Sequence, residues 1–109
     1  MTWSVDASGT QTSTIGTEIT LDSTTNNGTF VFVVDISAMQ LGDVTELRVY
    51  TAVLSGGTAN QAWKATFGPN PTFNTVTISP PLASDQQANF TLKQIAGTAR
   101  SFPWKVLRT

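Results

Sequence analysis

The sequence predicts an all-β protein with one domain, and its first candidate fold is an antiparallel β-sandwich of jelly-roll-like type. Short runs rich in Thr, Val and aromatic residues alternate with Gly, Pro, Asn and Asp along the whole chain, which is the pattern of strands and turns. No segment repeats apolar residues at the spacing of a long amphipathic helix. A length of 109 residues supports a single core. An immunoglobulin-like sandwich and a small barrel are the alternatives.

The N-terminal quarter of the chain supplies the least regular elements. Residues 1–10 are predicted to form a short strand or an N-terminal arm, whose large apolar side chains are Trp3 and Val5. Residues 12–21 alternate weakly between polar and apolar side chains and are predicted to form the next strand. The DSTTNNG segment that follows is predicted to form a turn, because Asn and Gly tolerate positive φ and Asn-Gly favours hairpins.

The clearest strand covers residues 29–36, where apolar side chains occupy both faces. Phe30, Phe32 and Val34 fall on one face by the period of two, and Val31 and Val33 fall on the other. A strand that is apolar on both faces is expected to lie inside its sheet or under a neighbouring chain.

The rest of the chain continues the alternation of strands and turns, which gives about eight strands in all. The later predicted strands are residues 44–55, 60–67, 73–79, 87–95 and 102–107. The side chains predicted to form the core are Phe30, Phe32, Val34, Leu47, Val49, Trp63, Phe67, Phe90, Leu92, Phe102 and Trp104.

Composition argues against several classes of function. The chain has a net charge of -1, which offers no basic surface for nucleic acid. It contains no Cys and no His, which removes thiol and imidazole catalysis and the commonest metal ligands. The few carboxylates are scattered over different segments, so no catalytic pair stands out. We therefore expect no enzyme activity, no cofactor and no metal.

Neither a membrane span nor a signal peptide is predicted. No apolar run approaches the roughly 18 residues that a membrane helix needs. The N-terminus lacks the basic and apolar regions of a secretory signal. We therefore expect no membrane partner and synthesis in a cytosol.

The surface composition indicates association with other subunits. Only 12% of the residues are charged, and the predicted outward positions carry mainly Thr, Ser, Asn and Gln. Soluble monomers usually place charges on exposed strand edges to prevent sheet-to-sheet association. We expect partner contacts from Trp3 and Val5 in the arm and from strand edges that expose Val31, Val33 and Tyr50. A monomer kept soluble by its hydroxyl groups is the alternative.

Aromatic side chains also permit a second hypothesis, a carbohydrate-binding sandwich. A sugar ring can stack on an exposed aromatic side chain. Trp3, Tyr50 and Trp63 are the candidates for such a platform. Alternation along the strand places Trp63 on an inward face, so the core is the better interpretation for that residue.

Two stretches of the sequence resemble a known class of protein. They are ELRVYTAVLSGGTANQAWKATF, residues 46–67, and FTLKQIAGTARSFPWKVL, residues 90–107. Both look like parts of small structural proteins from the virion modules of tailed bacteriophages and prophages. Residues 1–28 lie outside the resemblance.

The resemblance implies a role in a virion and no catalysis. It implies a capsid decoration (cement) protein, with a head-completion or tail protein as the alternative. Such proteins are often β-sandwiches or β-barrels that form trimers or other small oligomers. The implied partners are the major capsid protein or other virion proteins. The implied location is the virion, after synthesis in the host bacterial cytoplasm.

Overall fold

The computed structural model describes residues 2–70 and 75–109, and their regular structure is entirely β. The strands are β1 (Ser4–Thr12), β2 (Glu18–Thr24), β3 (Gly28–Asp35), β4 (Val44–Thr51), β5 (Asn60–Phe67), β6 (Val76–Ile78), β7 (Leu82–Ser84), β8 (Ala88–Ala96) and β9 (Ser101–Arg108). The predicted strand at residues 73–79 begins outside the described residues, and its described part contains β6. The predicted short strand or arm covered residues 1–10, and residues 4–10 of it belong to the edge strand β1, which pairs with β9.

The strands form two antiparallel sheets with a nested order of pairing. Sheet A has the order β1-β9-β3-β6, and β7 also pairs with β3; sheet B has the order β2-β8-β4-β5. Along the chain the strand pairs are nested: β4·β5 is innermost, followed outward by β3·β6, β2·β8 and β1·β9. One long hairpin folded over into two layers has this order of pairing. This is the arrangement of a jelly roll. The predicted β-sandwich is therefore confirmed.

The core lies between the two sheets and is built from alternate residues of the interior strands. Phe90 is fully buried, and its ring centroid lies 5.6 Å from those of both Phe30 and Phe32. The buried cluster consists of Phe30, Phe32, Val34, Ile36, Met39, Leu47, Val49, Ala88, Phe90, Leu92, Phe102 and Val106. Eight of the eleven predicted core residues belong to it.

The other three predicted core residues are only partly buried, although each packs against the cluster. Trp63 and Phe67 lie on β5, which is an edge strand of sheet B and is therefore covered from one side only. Trp104 on β9 lies opposite Gly9 of β1, a residue with no side chain to cover the indole ring.

A buried polar network closes one end of the sandwich. The Asp43 carboxylate accepts hydrogen bonds from Gln40 N at 2.9 Å, Thr98 N at 3.1 Å and Arg100 Nε at 2.8 Å. Gln94, which is fully buried, donates to the carbonyl oxygen of Thr98 at 2.7 Å. The network joins the turn before β4 to the connection between β8 and β9.

Gly97 is required at this end of the sandwich for two reasons. Its φ is +95°, and a Cβ atom at this position would collide with the Asp43 carboxylate. Gly16 is a matched control, because its φ is +82° but no atom of the described residues, its chain neighbours aside, lies within 4 Å of its Cβ position.

We expect Gly97→Ala to destabilise the fold more than Gly16→Ala does. Both variants incur the cost of a positive φ, about 1 kcal/mol. Gly97→Ala should lose a further 1–3 kcal/mol or so, the usual range for overpacking. Urea denaturation of the two variants measures the difference. Equal losses would contradict the close packing of Gly97 on Asp43.

Candidate functional site

The outer face of sheet A carries a set of apolar side chains, although it is turned away from the core. We define the sheet A face as Val5, Val31, Val33, Val76, Ile78 and Leu107. Three of these side chains are more than half exposed: Val5 at 57%, Val76 at 53% and Ile78 at 66%. Single exposed apolar side chains are common, but a contiguous set of them marks an interaction surface.

Strand pairing brings these residues together. Val5 of β1 lies opposite Leu107 of β9, and Leu107 lies opposite Val31 of β3. Val33 lies opposite Ile78 of β6. Because residues directly opposite each other on antiparallel strands share a face of the sheet, the set runs across four strands.

A β-bulge at Asp6 turns Val5 onto this face. Val5 pairs with Leu107 and Ala7 pairs with Val106, so β1 advances two residues while β9 advances one. Without the extra residue, Val5 and Ala7 would share a face. Since Val106 belongs to the core cluster, Ala7 faces inward and Val5 faces outward.

A shallow depression of about 170 Å³ adjoins Val33 of the sheet A face. It is lined by Val33, Asp35, Pro103, Trp104 and Lys105. A hydrogen bond from Ser37 to the Asp35 carboxylate holds the pKa of Asp35 below its usual value. Asp35 lies opposite Val76 and Lys105 lies opposite Val33, so two charged side chains share this face with the apolar set.

The structure brings together three of the five residues predicted to bind a partner. Val5, Val31 and Val33 share the sheet A face, but Val31 is only 7% exposed. Trp3 directly precedes β1 and is 42% exposed. Tyr50 lies on the other sheet. The expectation that Val31, Val33 and Tyr50 lie on strand edges is wrong, because β3 and β4 are both interior strands.

Sequence reasoning missed Val76, Ile78 and Leu107 as members of this surface. The period of two along a strand puts Val76 and Ile78 on one face, but it does not indicate that this face is exposed. The deciding information is the pairing of β6 with β3, where Thr77 is the buried residue. Leu107 joins the face only because β9 lies between β1 and β3.

The outer face of sheet B is different in character, because its charges are paired within the chain. Glu46 forms ion pairs with Arg48 at 2.8 Å and Lys64 at 3.0 Å. Tyr50 Oη donates to Glu18 at 2.6 Å. Hydrogen bonds from Lys64 and Arg48 lower the pKa of Glu46 and keep it ionised. Glu46, Arg48 and Lys64 on this face are therefore paired with one another.

The aromatic side chains proposed for a sugar platform do not meet. Trp3 lies at the edge of sheet A, Tyr50 points outward from sheet B, and Trp63 packs against the core. These three side chains occupy different surfaces, so a sugar ring would stack on one of them alone.

Among residues 2–70 and 75–109, no group of three or more Asp, Glu, His or Cys side chains is arranged to hold a metal ion. In the same ranges, no helix is long and apolar enough to cross a lipid bilayer.

Comparison of the chain with protein-family models, curated proteins and solved structures gave no significant match.

Proposed function

We propose that the chain is a bacteriophage virion structural protein of the capsid decoration (cement) type, which binds the capsid through the sheet A face. The observation that carries this proposal is the apolar set on that face, in which Val5, Val76 and Ile78 are more than half exposed. On the sheet B face, by contrast, Glu46 is paired with Arg48 and Lys64. The resemblance of residues 46–67 and 90–107 to small virion proteins supplies the virion context. The major capsid protein is the proposed partner, and binding is the whole of the proposed activity.

The physics of this attachment is burial of apolar surface, repeated over many sites. Each square ångström of apolar surface removed from water contributes about 25 cal/mol. A small face therefore gives modest affinity at one site. Linked copies on a regular shell would hold more firmly, because each bound subunit raises the effective concentration of the next contact.

Association of the chain with itself is a further part of the proposal. We propose a homo-oligomer, with a trimer as the form that the resemblance implies. The low fraction of charged residues supports this, since the edge strands β1 and β5 carry few charged side chains that would prevent pairing with another sheet. Sedimentation velocity at micromolar concentration tests the proposal, and a monomer of 11.6 kDa would contradict it.

A position at the head completion site or on the tail is the alternative within the same class. It would use the same apolar face against a different virion protein. The location of the chain on the particle separates the two, because a decoration protein covers the shell and a completion or tail protein occupies one vertex.

A charged substitution on the sheet A face should weaken attachment while the protein stays folded. Ile78 is 66% exposed, so Ile78→Lys should leave the core intact but place an ammonium group in the proposed contact. We expect at least a tenfold loss of affinity, or about 1.4 kcal/mol. The measurement is occupancy on particles that lack the native copy, as purified protein is added back.

The matched control introduces the same side chain on the other sheet. Thr66 is exposed on β5 and lies opposite Glu46, so Thr66→Lys adds a lysine to the sheet B face. This variant should bind as the wild type does. Unchanged binding by Ile78→Lys, or an equal loss in both variants, would reject the sheet A face as the contact.

A further inference from the structure

Two carboxyl groups and one guanidinium meet where the edges of the two sheets come together. Asp6 lies in the bulge of the edge strand β1, and its side chain is only 5% exposed. Asp22 of β2 pairs with Phe90, a fully buried residue, so its side chain is directed toward the space between the sheets. The two carboxyl groups are in hydrogen-bonding contact.

The groups around the two carboxyl groups stabilise the ionised form of Asp6 more than that of Asp22. Asp6 Oδ1 accepts a hydrogen bond from Asn26 Nδ2 at 2.8 Å and lies 3.4 Å from Arg108 Nε. Asp22 Oδ2 is buried and receives no hydrogen bond from an N–H or hydroxyl group of the described residues. Arg108 directs another nitrogen, Nη1, to the carbonyl oxygen of Asn27 at 3.2 Å.

The charges do not balance when both carboxyl groups are ionised. Asp6 comes from β1, Asp22 from β2 and Arg108 from β9, and β8 presents the uncharged Phe90 opposite Asp22. Within the described residues, Arg108 is the only cation that the ion pairs place against the two carboxyl groups. One proton shared between the carboxyl groups removes the repulsion, since two adjacent carboxylates cannot both ionise without cost.

The two groups accordingly differ in pKa. Burial, together with the hydrogen bond to Asp6 and the charge of Asp6, raises the pKa of Asp22 to about 7. Burial also acts to raise the pKa of Asp6, but hydrogen bonds from Asp22 and Asn26 and the charge of Arg108 lower it overall. The shared proton therefore resides on Asp22, which donates to the Asp6 carboxylate.

We propose that Asp6, Asp22 and Arg108 form a pH-sensitive latch that holds the N-terminal half of β1 against β2. With the proton in place, the latch joins the edge of sheet A to the edge of sheet B. Without it, two carboxylates repel each other beside one guanidinium. The response is local, because β1 pairs only with β9 among the described strands and has no second strand to hold it.

The sign of the effect follows from proton linkage. The folded form holds the Asp22 proton up to about pH 7, whereas the unfolded chain releases it near 3.8. Between these values the folded state binds more protons, so the stability contributed by the latch falls as the pH rises. The latch is closed at acidic pH and open above neutrality. This inference does not depend on the proposed attachment to a capsid.

Hydrogen exchange of the backbone amides tests the latch directly. We compare residues 4–8 at about pH 5.5 and pH 8.5, with rates corrected for the intrinsic effect of pH. In the wild type, protection of these amides should fall about tenfold or more, since one pKa unit corresponds to a factor of ten. Amides of β8 serve as an internal reference, because that strand is interior to sheet B.

Two variants make the test specific. Asp22→Asn keeps a side chain that donates to Asp6 but cannot ionise, so its protection should be the same at both pH values. Asp85→Asn removes an exposed carboxylate outside the latch and should behave as the wild type does. An equal loss of protection in Asp22→Asn and the wild type, or no loss in the wild type, would overturn the proposal.

A measurement on the unmodified protein covers the case in which Asp22→Asn does not fold. Carbon-13 NMR of labelled aspartate carboxyl groups follows each titration in the wild type. A carboxyl resonance that titrates near neutral pH, together with loss of protection in residues 4–8 over the same range, is the expected result. Titration of every carboxyl group below about pH 5 would overturn the latch, because no proton would remain to be shared.

Discussion

Replacing Phe90 with alanine is expected to lower the free energy of unfolding by about 3–5 kcal/mol. Phe90 is fully buried at the centre of the sandwich, and its ring contacts Phe30 and Phe32 from the opposite sheet. Sheets on both sides restrict the collapse of the cavity that the substitution leaves. The loss therefore includes a cavity cost in addition to the lost transfer of the side chain from water.

Phe67→Ala is the matched control for this prediction. It removes the same side chain, but Phe67 is partly buried on the edge strand β5, where neighbours and water can fill the space. Its loss should be clearly smaller than that of Phe90→Ala. Urea denaturation followed by tryptophan fluorescence measures both. Similar losses would contradict the placement of the core between β3 and β8.

Replacing Asp43 with alanine is expected to cost about 3 kcal/mol, at the lower end of the range for breaking a buried ion pair. The substitution leaves Arg100 and two backbone amide groups without their acceptor. Arg100 is 28% exposed, so water can partly replace the lost partner. Asp85→Ala, which removes an exposed carboxylate, should change stability little.

The contribution of Asp43 should also depend on pH. Burial acts to raise its pKa, but hydrogen bonds from Arg100, Gln40 and Thr98 lower it below 3.8 overall. Stability from this group is therefore present above about pH 4 and is lost as the pH falls through the lowered value in the folded state. The difference between wild type and Asp43→Ala should shrink in acid. A difference that stays constant would show that the charge of Asp43 is not what stabilises this end of the sandwich.

Local alternation in the sequence was sufficient to predict eight of the twelve residues in the buried core cluster. In β3 the period of two separates Phe30, Phe32 and Val34 from Val31 and Val33, and the structure places the first set in the core. The same reasoning located Phe90 and Leu92 in β8. These strands lie inside their sheets, where burial depends on the face of the strand more than on its neighbours.

The surface features could not be predicted in this way, because they depend on strand pairing and bulges. The bulge at Asp6 puts Val5 on the opposite face of the sheet from Ala7, and no residue type in β1 indicates that a bulge is present. Trp104 is only partly buried because Gly9 happens to lie opposite. Asp6 and Asp22 come together only when β1 and β2 become adjacent edges of two sheets. Each of these features depends on a contact between residues that are distant in sequence, or on a local change in strand register.

The central claim is that the sheet A face is the attachment surface of a virion protein. Electron cryo-microscopy of particles made by the genome that encodes the chain tests it most directly. We expect the jelly roll on the outer surface of the capsid, with Val5 and Ile78 in contact with the shell. Absence of the chain from the particle, or its presence with the sheet A face open to solvent, would contradict the claim.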